Sequence, residues 1–448
     1  MSLAELRERT AAMMPQVIAD LTALTAIPSI AFPGYPPEPV LAAAAATAAL
    51  FRGAGVPDVE LLPVPGGYPA VYADVPGPAG APKLLLYAHY DIQPAPMEQG
   101  WTRDPFTPVV ETGRLYGRGA ADDKSGIMMH VAALRLFGGK PPVGYRILIE
   151  GEEETGQGLG AFVDAHPELA KCDAFIIDDG GNRIAGQPQL NVSLRGIVTC
   201  TVTVRTLTKM AHSGGYGGAA PDALMALAVI LQRLLDEHGD VASPGLVRSE
   251  WDGADIPEAE YRAAAGVLPG VELIGTGSLA SRLWTHPSVT AIGLDAPPVA
   301  GASNSLIPQV RAKISLRIAP GSDPDASLQA LMDHIRKTAP WGVQLDITPG
   351  ETGNSFKAPA GGPIDAAARE ALREVFGRPP ASTASGGSIP LLGTLRALEP
   401  NAEFVVWGAQ EGEHSSVHGP NESQDLAELE RMIVAEARFL ELAGQVAE

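Results

Sequence analysis

The chain has 448 residues, which exceeds what one ordinary core organises, so two domains or more are expected. Its composition is that of a globular protein, with 45% hydrophobic residues, 50 Gly and 40 Pro. A formal charge of -20 argues against nucleic acid or an anionic membrane surface as partner, and two cysteines, Cys172 and Cys200, exclude a disulfide framework.

The first 25 residues scatter Glu5, Arg7, Glu8, Arg9 and Asp20 through a helical pattern. They lack the unbroken apolar core of a signal peptide, so a cytoplasmic location is expected. The longest apolar run, Val40 to Leu50, is far shorter than the roughly 20 residues of a membrane span. Apolar spacing predicts helices over Leu3–Ala26, kinked at Pro15, and over Pro39–Arg52. Strands follow at Ala70–Val75 and Leu84–Ala88, then a helix from Lys124 through Phe137. A strand at Arg146–Glu150, a short helix at Gly158–His166 and a strand at Ala174–Ile177 continue an alternating β/α order.

At Leu194 the texture changes, because Ile197–Arg205 alternates apolar residues with threonine as a half-exposed strand does. A long helix is predicted over Ala219–His238, and the segment from Val241 to Ala300 carries little pattern. Strand Arg311–Ile318, helix Asp325–Thr338 and strand Val343–Thr348 complete a βα…βαβ order that suggests a ferredoxin-like α+β domain. Helical spacing resumes at Ile364–Phe376, and the strand Phe404–Trp407 precedes a loop with two histidines. The fold class is therefore α/β: a mixed central sheet flanked by helices, with the ferredoxin-like domain inserted. The expected boundaries are residues 1–192, 193–356 and 357–448, the last returning to the first domain.

The candidate chemistry lies at strand ends, where open α/β sheets place their sites. Leu84–Asp91 ends in His89 and Asp91; Leu115–Gly126 delivers Asp122 and Asp123 at the mouth of a helix; Arg146–Gly156 ends in a run of Glu. His89 and Asp91, two residues apart, suit a metal ligand and the carboxylate that orients it. Asp122 suits a bridging ligand, and Glu153 and Glu154 a base and a ligand. Asp178 or Asp179 with His414 or His418 would complete sites for two ions. Two dications against three ligand carboxylates leave about one positive charge, enough to lower the pKa of a water toward about 7. HExxH, the P-loop and GxSxG are absent.

Seven motifs occur in one order: His89-Tyr90-Asp91, Gly117 to Lys124 (GRGAADDK), Glu150 to Gly156 (EGEEETG), Leu194-Arg195-Gly196, His212 to Gly218 (HSGGYGG), Gly386 to Pro390 (GGSIP) and His418 to Glu422 (HGPNE). On these the chain resembles, over nearly its full length, the dinuclear zinc amidohydrolases that include carnosinase, cytosolic nonspecific dipeptidase, aminoacylase and bacterial glutamate carboxypeptidase. HYDIQPA and HSGGYGG place it nearest the dipeptidase branch.

The resemblance implies His89, Asp122, Glu154, Asp179 and His418 as ligands of two divalent ions per subunit, zinc by preference over manganese or cobalt, with Asp122 bridging. It implies Glu153 as general base of a metal-activated water, Asp91 as the partner orienting His89, and a cis Asp122–Asp123 peptide. Arg317, Gly387, Ser388 and Ser305 would hold the substrate. The inserted domain would act as a lid and pair with its copy in a homodimer, with His212 donating to the oxyanion in the partner subunit's site. Ser125 departs from the glycine usual in the family. The implied reaction is hydrolysis of dipeptides or similar small amides. N-acyl or N-carbamoyl amino acid hydrolysis is the alternative, and a metal-free binding homologue is disfavoured because every ligand position is filled.

Overall fold

The computed structural model describes residues 1–156, 158–359, 361–387 and 389–446. In chain order the main elements are α1 (Leu3–Thr25), α2 (Glu38–Gly53), β1 (Glu60–Leu62), β2 (Ala70–Val75), β3 (Lys83–His89), α3 (Lys124–Leu136), β4 (Gly144–Glu150) and β5 (Ala174–Ile177). Next come β6 (Gly196–Arg205), α4 (Ala223–Gln232), β7 (Ser288–Asp295), β8 (Gln309–Ile318), α5 (Pro324–Thr338) and β9 (Gln344–Gly353). The chain continues through α6 (Pro363–Phe376), β10 (Glu403–Val406) and α7 (Leu426–Ala443). None of the described helices is long and apolar enough to cross a membrane.

Two compact units emerge from the packing: Met1–Val192 with Ala358–Thr383 and Ile389–Glu448, and Ser193–Lys357 with Ala384–Ser388. In the first, the strands lie in the order β1-β2-β4-β3-β5-β10. The pairs β4/β3, β3/β5 and β5/β10 are parallel, whereas β1 and β2 add antiparallel. The register sets His89 opposite Glu150 and Tyr87 opposite Ile177, so β3, β4, β5 and β10 all finish at one edge.

The local causes are plain in the sequence. Ser2 and Glu5 exchange hydrogen bonds in a capping box that starts α1. Leu6, Met14, Val17, Leu21 and Leu24 then recur on its buried face, and the helix runs through Pro15. β3 reads KLLLYAH and is buried from its second residue onward, as a parallel strand covered on both sides must be. α1, α3, α6 and α7 pack with Leu84, Leu86 and Ala88 of β3 into one core. Truncating a residue such as Leu86 to Ala would cost about 2 to 5 kcal/mol.

The second unit is a four-stranded sheet in the order β7-β8-β6-β9, every pair antiparallel. With α4 and α5 packed on one apolar face, this βαββαβ arrangement is ferredoxin-like. Its second strand, β7, lies inside the weakly patterned 241–300 stretch. It goes unpredicted because it is an edge strand whose last six residues are exposed, so no alternation marks it. The helix expected over 219–238 is in fact confined to Ala223–Gln232. Asp222 accepts the Met225 N–H and fixes its start; beyond Arg233 the chain turns to pair Leu235 with Val241.

Candidate metal centre

The parallel register carries the side chains at the shared edge of the first unit. His89 ends β3, and Asp91 follows it; Glu152–Glu154 follow β4; Asp178 and Asp179 follow β5; Gln410 and His418 follow β10. Asp122 and Asp123 are joined by a cis peptide, and Asp123 is the N-cap of α3. Gly126 permits this placement: a Cβ there would lie 2.6 Å from the Asp178 carbonyl oxygen and 2.4 Å from Asp123 Oδ1, so only glycine lets α3 approach the end of β5. Ser125, next to it, is buried and donates to the Ala121 carbonyl at 2.8 Å.

Two sets of donor atoms converge, His89 with Asp123 and Asp179, and Asp122 with Glu154 and His418. Asp122 links them: its Oδ1 lies 3.2 Å from His89 Nε2 and its Oδ2 3.0 Å from His418 Nε2. His418 Nε2 is also 3.2 Å from Glu154 Oε2. Asp91 Oδ1 stands 3.3 Å from His89 Nδ1, and its two oxygens accept the backbone N–H groups of Glu153 and Glu154, each at 3.1 Å. Asp91 therefore orients His89 and shapes the turn that presents both glutamates.

The electrostatics are those of an acid cluster that wants cations. Burial pushes Glu153 well above the carboxylate range, with Asp179 adding to the shift, and pushes Asp179 up to about 7. Asp123 is likewise raised, by burial and then by Asp179. Burial would raise Asp122 too, but hydrogen bonds from His418 and His89 outweigh it and hold the carboxyl below its usual range. The imidazoles respond in kind: burial disfavours their charge, yet Asp122 and Asp91 hold His89 well above its ordinary value, and Asp122 and Glu154 hold His418 at about 10. Glu153, Asp179 and Asp123 driven toward neutrality beside imidazoles driven toward protonation form, with Asp122 between the two histidines, a donor set that fits divalent cations, which would reverse these shifts.

The two pairs that residue type alone leaves open take different places here. His414 is 65% exposed and belongs to neither donor set, while His418 does. Asp178 turns into the interior toward Trp407 and His130, leaving Asp179 beside His89. Other residues join the site without a role assigned from sequence. Asp123 sits in a donor set; Gln93 donates to Glu154 Oε2 at 2.7 Å; Gln410 reaches Asp122 Oδ1 at 3.4 Å. Glu422 accepts the N–H groups of Ala121 and Asp122, each at 3.0 Å, and pairs with the buried Arg118. Glu422 lies inside the HGPNE motif, whereas Gln93 and Gln410 carry no signal in sequence.

In the second unit, His212 pairs with Ser305 across a short two-stranded ladder, and its side chain is exposed. Arg317 lies on β8 opposite Ile197 and Ser288, half-buried, and burial lowers its pKa. Burial also lowers the pKa of Arg195, and the neighbouring guanidinium charge of Arg317 adds to that shift. Gly387 is exposed, and Ser388 lies outside the described residues.

The chain is similar to known peptidases in sequence and in fold. The family model "Peptidase family M20/M25/M40" matches residues 85–442. The cysteinylglycine-S-conjugate dipeptidase of Corynebacterium striatum is 38% identical over 374 residues, 82% of this chain and 82% of that protein. The Beta-Ala-His dipeptidase of Rattus norvegicus is 26% identical over 389 residues, 80% of this chain and 77% of that one. The crystal structure of human carnosine dipeptidase 1 superposes with a TM-score of 0.85 at 22% identity, covering 100% of this chain and 99% of that one, a likeness of fold. The chain thus belongs to peptidase family M20/M25/M40 and is a metallopeptidase.

Proposed function

We propose that the protein hydrolyses dipeptides, with His89, Asp122, Glu154, Asp179 and His418 holding two divalent ions, zinc by preference. The observation that carries this reading is Asp122, whose two oxygens face His89 on one side and His418 on the other. Two ions held there would supply Lewis acidity to the scissile carbonyl and lower the pKa of an attacking water.

The chain's own residues do the rest. Glu153, half-buried at the turn after β4, takes the proton of the water and returns it to the leaving amine. Asp91 keeps the His89 ring oriented and, through the two backbone N–H groups it accepts, keeps Glu153 and Glu154 in place. By resemblance, Arg317, Gly387 and Ser388 serve the substrate's carboxylate, and Ser305 serves substrate binding. The second unit serves as a lid that pairs with its copy in a homodimer, and His212 serves the developing oxyanion of the partner subunit's site. The cytoplasm is the proposed location.

Dipeptides are preferred because the curated relatives described above are named as dipeptidases. Purified protein loaded with zinc, manganese or cobalt would be assayed against Cys-Gly and β-Ala-His dipeptides and against N-acetyl and N-carbamoyl amino acids. Turnover of dipeptides at a kcat/KM at least about tenfold above the acylated amino acids is expected, a margin of roughly 1.4 kcal/mol in transition-state binding. The reverse order would reassign the substrate, and absence of bound metal with no turnover would reject the reading.

A further inference from the structure

A third cluster of ionisable groups lies in the interior of the first unit, away from the substrate chemistry. His130 of α3, Asp178 after β5 and Glu436 of α7 are all fully buried. His130 Nδ1 is 2.6 Å from Glu436 Oε1 and 3.3 Å from Asp178 Oδ2. Its Nε2 lies 3.1 Å from the Tyr87 carbonyl oxygen, an acceptor only, so Nε2 carries its proton and donates. The same carbonyl accepts the Asp178 N–H at 3.0 Å. Trp407 Nε1 donates to the other oxygen of Asp178.

These contacts converge on the residue immediately before Asp179. Hydrogen bonds tie it to β3 through Tyr87 and to the end of β10 through Trp407, while His130 of α3, held by Glu436 of α7 and by the same Tyr87 carbonyl, packs 3.3 Å from its Oδ2. Asp178 Oδ2 and Glu436 Oε2 have no hydrogen-bond partner among the described residues although both are buried. Such a trio is a poor choice for stability alone, because apolar side chains of similar volume would avoid the desolvation cost. Its directional bonds, by contrast, fix the backbone at Asp178 and with it the aim of the next side chain.

We infer that His130, Glu436 and Trp407 are positioning residues that hold Asp179 at the metal centre by fixing Asp178. The inference rests on the proposed two-ion site. Outer partners of metal ligands typically contribute about 10- to 100-fold in affinity, and that is the effect expected here.

The test is titration of the metal-free protein with Co2+, followed by its d–d absorption, and with Zn2+ against a chromophoric chelator, giving two dissociation constants. His89→Ala and His418→Ala proteins mark which constant belongs to which side. Glu436→Leu and Trp407→Phe should weaken the ion on the His89/Asp179 side roughly 10- to 100-fold while the ion on the Glu154/His418 side stays within about threefold. Glu436→Gln keeps the size and a hydrogen bond to the imidazole, and should bind both ions nearly as the wild type does. Should Glu436→Leu fail to fold, Trp407→Phe decides, since it deletes one N–H and keeps an aromatic ring. Variants that bind both ions unchanged, or weaken both in parallel, overturn the inference while leaving the two-ion site standing. A wild-type protein that takes up no ion overturns the functional reading and this inference together.

Discussion

Removing the Glu422 carboxylate should damage the fold more than its peripheral place in the sequence suggests. The side chain is fully buried and pairs with Arg118, whose side chain is only 1% exposed. Its other oxygen accepts the N–H groups of Ala121 and Asp122. Burial raises the Glu422 pKa even with Arg118 beside it, so desolvation outweighs the attraction. A pair of this kind adds little when intact yet is costly to break, because the surviving charge is left buried. Glu422→Ala strands Arg118, at about 3 to 5 kcal/mol, and leaves two N–H groups unpaired at roughly 1 kcal/mol each unless water fills the space. Allowing for such water, a loss of about 4 kcal/mol is expected. With an m-value of about 3 kcal/mol/M, the urea midpoint falls by about 1.3 M. Equilibrium urea unfolding followed by tryptophan fluorescence reports it, since Trp101 lies 5.3 Å from the Arg118 guanidinium. The double change Arg118→Met with Glu422→Met should be less damaging than Glu422→Ala alone, because no unpaired charge remains. A Glu422→Ala loss below about 1 kcal/mol, or a double variant less stable than that single one, would refute the reasoning.

Glu153→Gln should keep the fold and both metals but lower kcat by at least about 10²-fold; turnover within about tenfold of wild type would move the base elsewhere. Mixing inactive Glu153→Gln and His212→Ala subunits should restore roughly a quarter of wild-type activity if the histidine acts across a two-fold dimer, and nothing if it acts within its own chain. Burial holds Glu436 at about 8 against an ordinary 4.5, so between these values the folded chain keeps a proton that the unfolded chain releases. Stability should therefore fall as pH rises from about 4.5 to about 8, and Glu436→Gln should flatten that slope by up to about 1.4 kcal/mol per pH unit in urea midpoints measured across the range. Crystals soaked in zinc should show two ions about 3.5 to 4 Å apart between His89 and His418, and density for a single ion would reject the bridging role of Asp122.

Elements whose causes are local are legible in the chain's own pattern. β2 and β5 begin and end where the apolar runs do, and α3 opens at Lys124 as its helical spacing indicates. The ligand-type residues are legible too, because a hydrolytic metal centre draws on few residue types and places them just past apolar strands. Elements without a local mark are not. α7 goes unpredicted although Asp425 caps it, because burial over much of its surface takes even Glu428 and Glu436 inside and leaves no clean polar face. The expected form of α4 is too long because apolar spacing continues past the point where the chain turns back to pair Leu235 with Val241.

The sequence by itself determined the two-unit α/β plan and the set of chemical groups, since hydrophobic period and residue type are properties of short stretches. Residue types alone leave His414 beside His418 and Asp178 beside Asp179; the motif resemblance implies His418 and Asp179, and only the tertiary structure shows those two among the converging donor atoms. Neighbours in sequence share composition, but the parallel register and the crossing of α3 and α7 aim one of each pair at the shared edge. The other is left in solvent, as His414 is, or in the core, as Asp178 is. It also assembled the buried contacts of Glu436 with His130, 306 positions apart, and of Glu422 with Asp122, 300 apart, which no local pattern encodes.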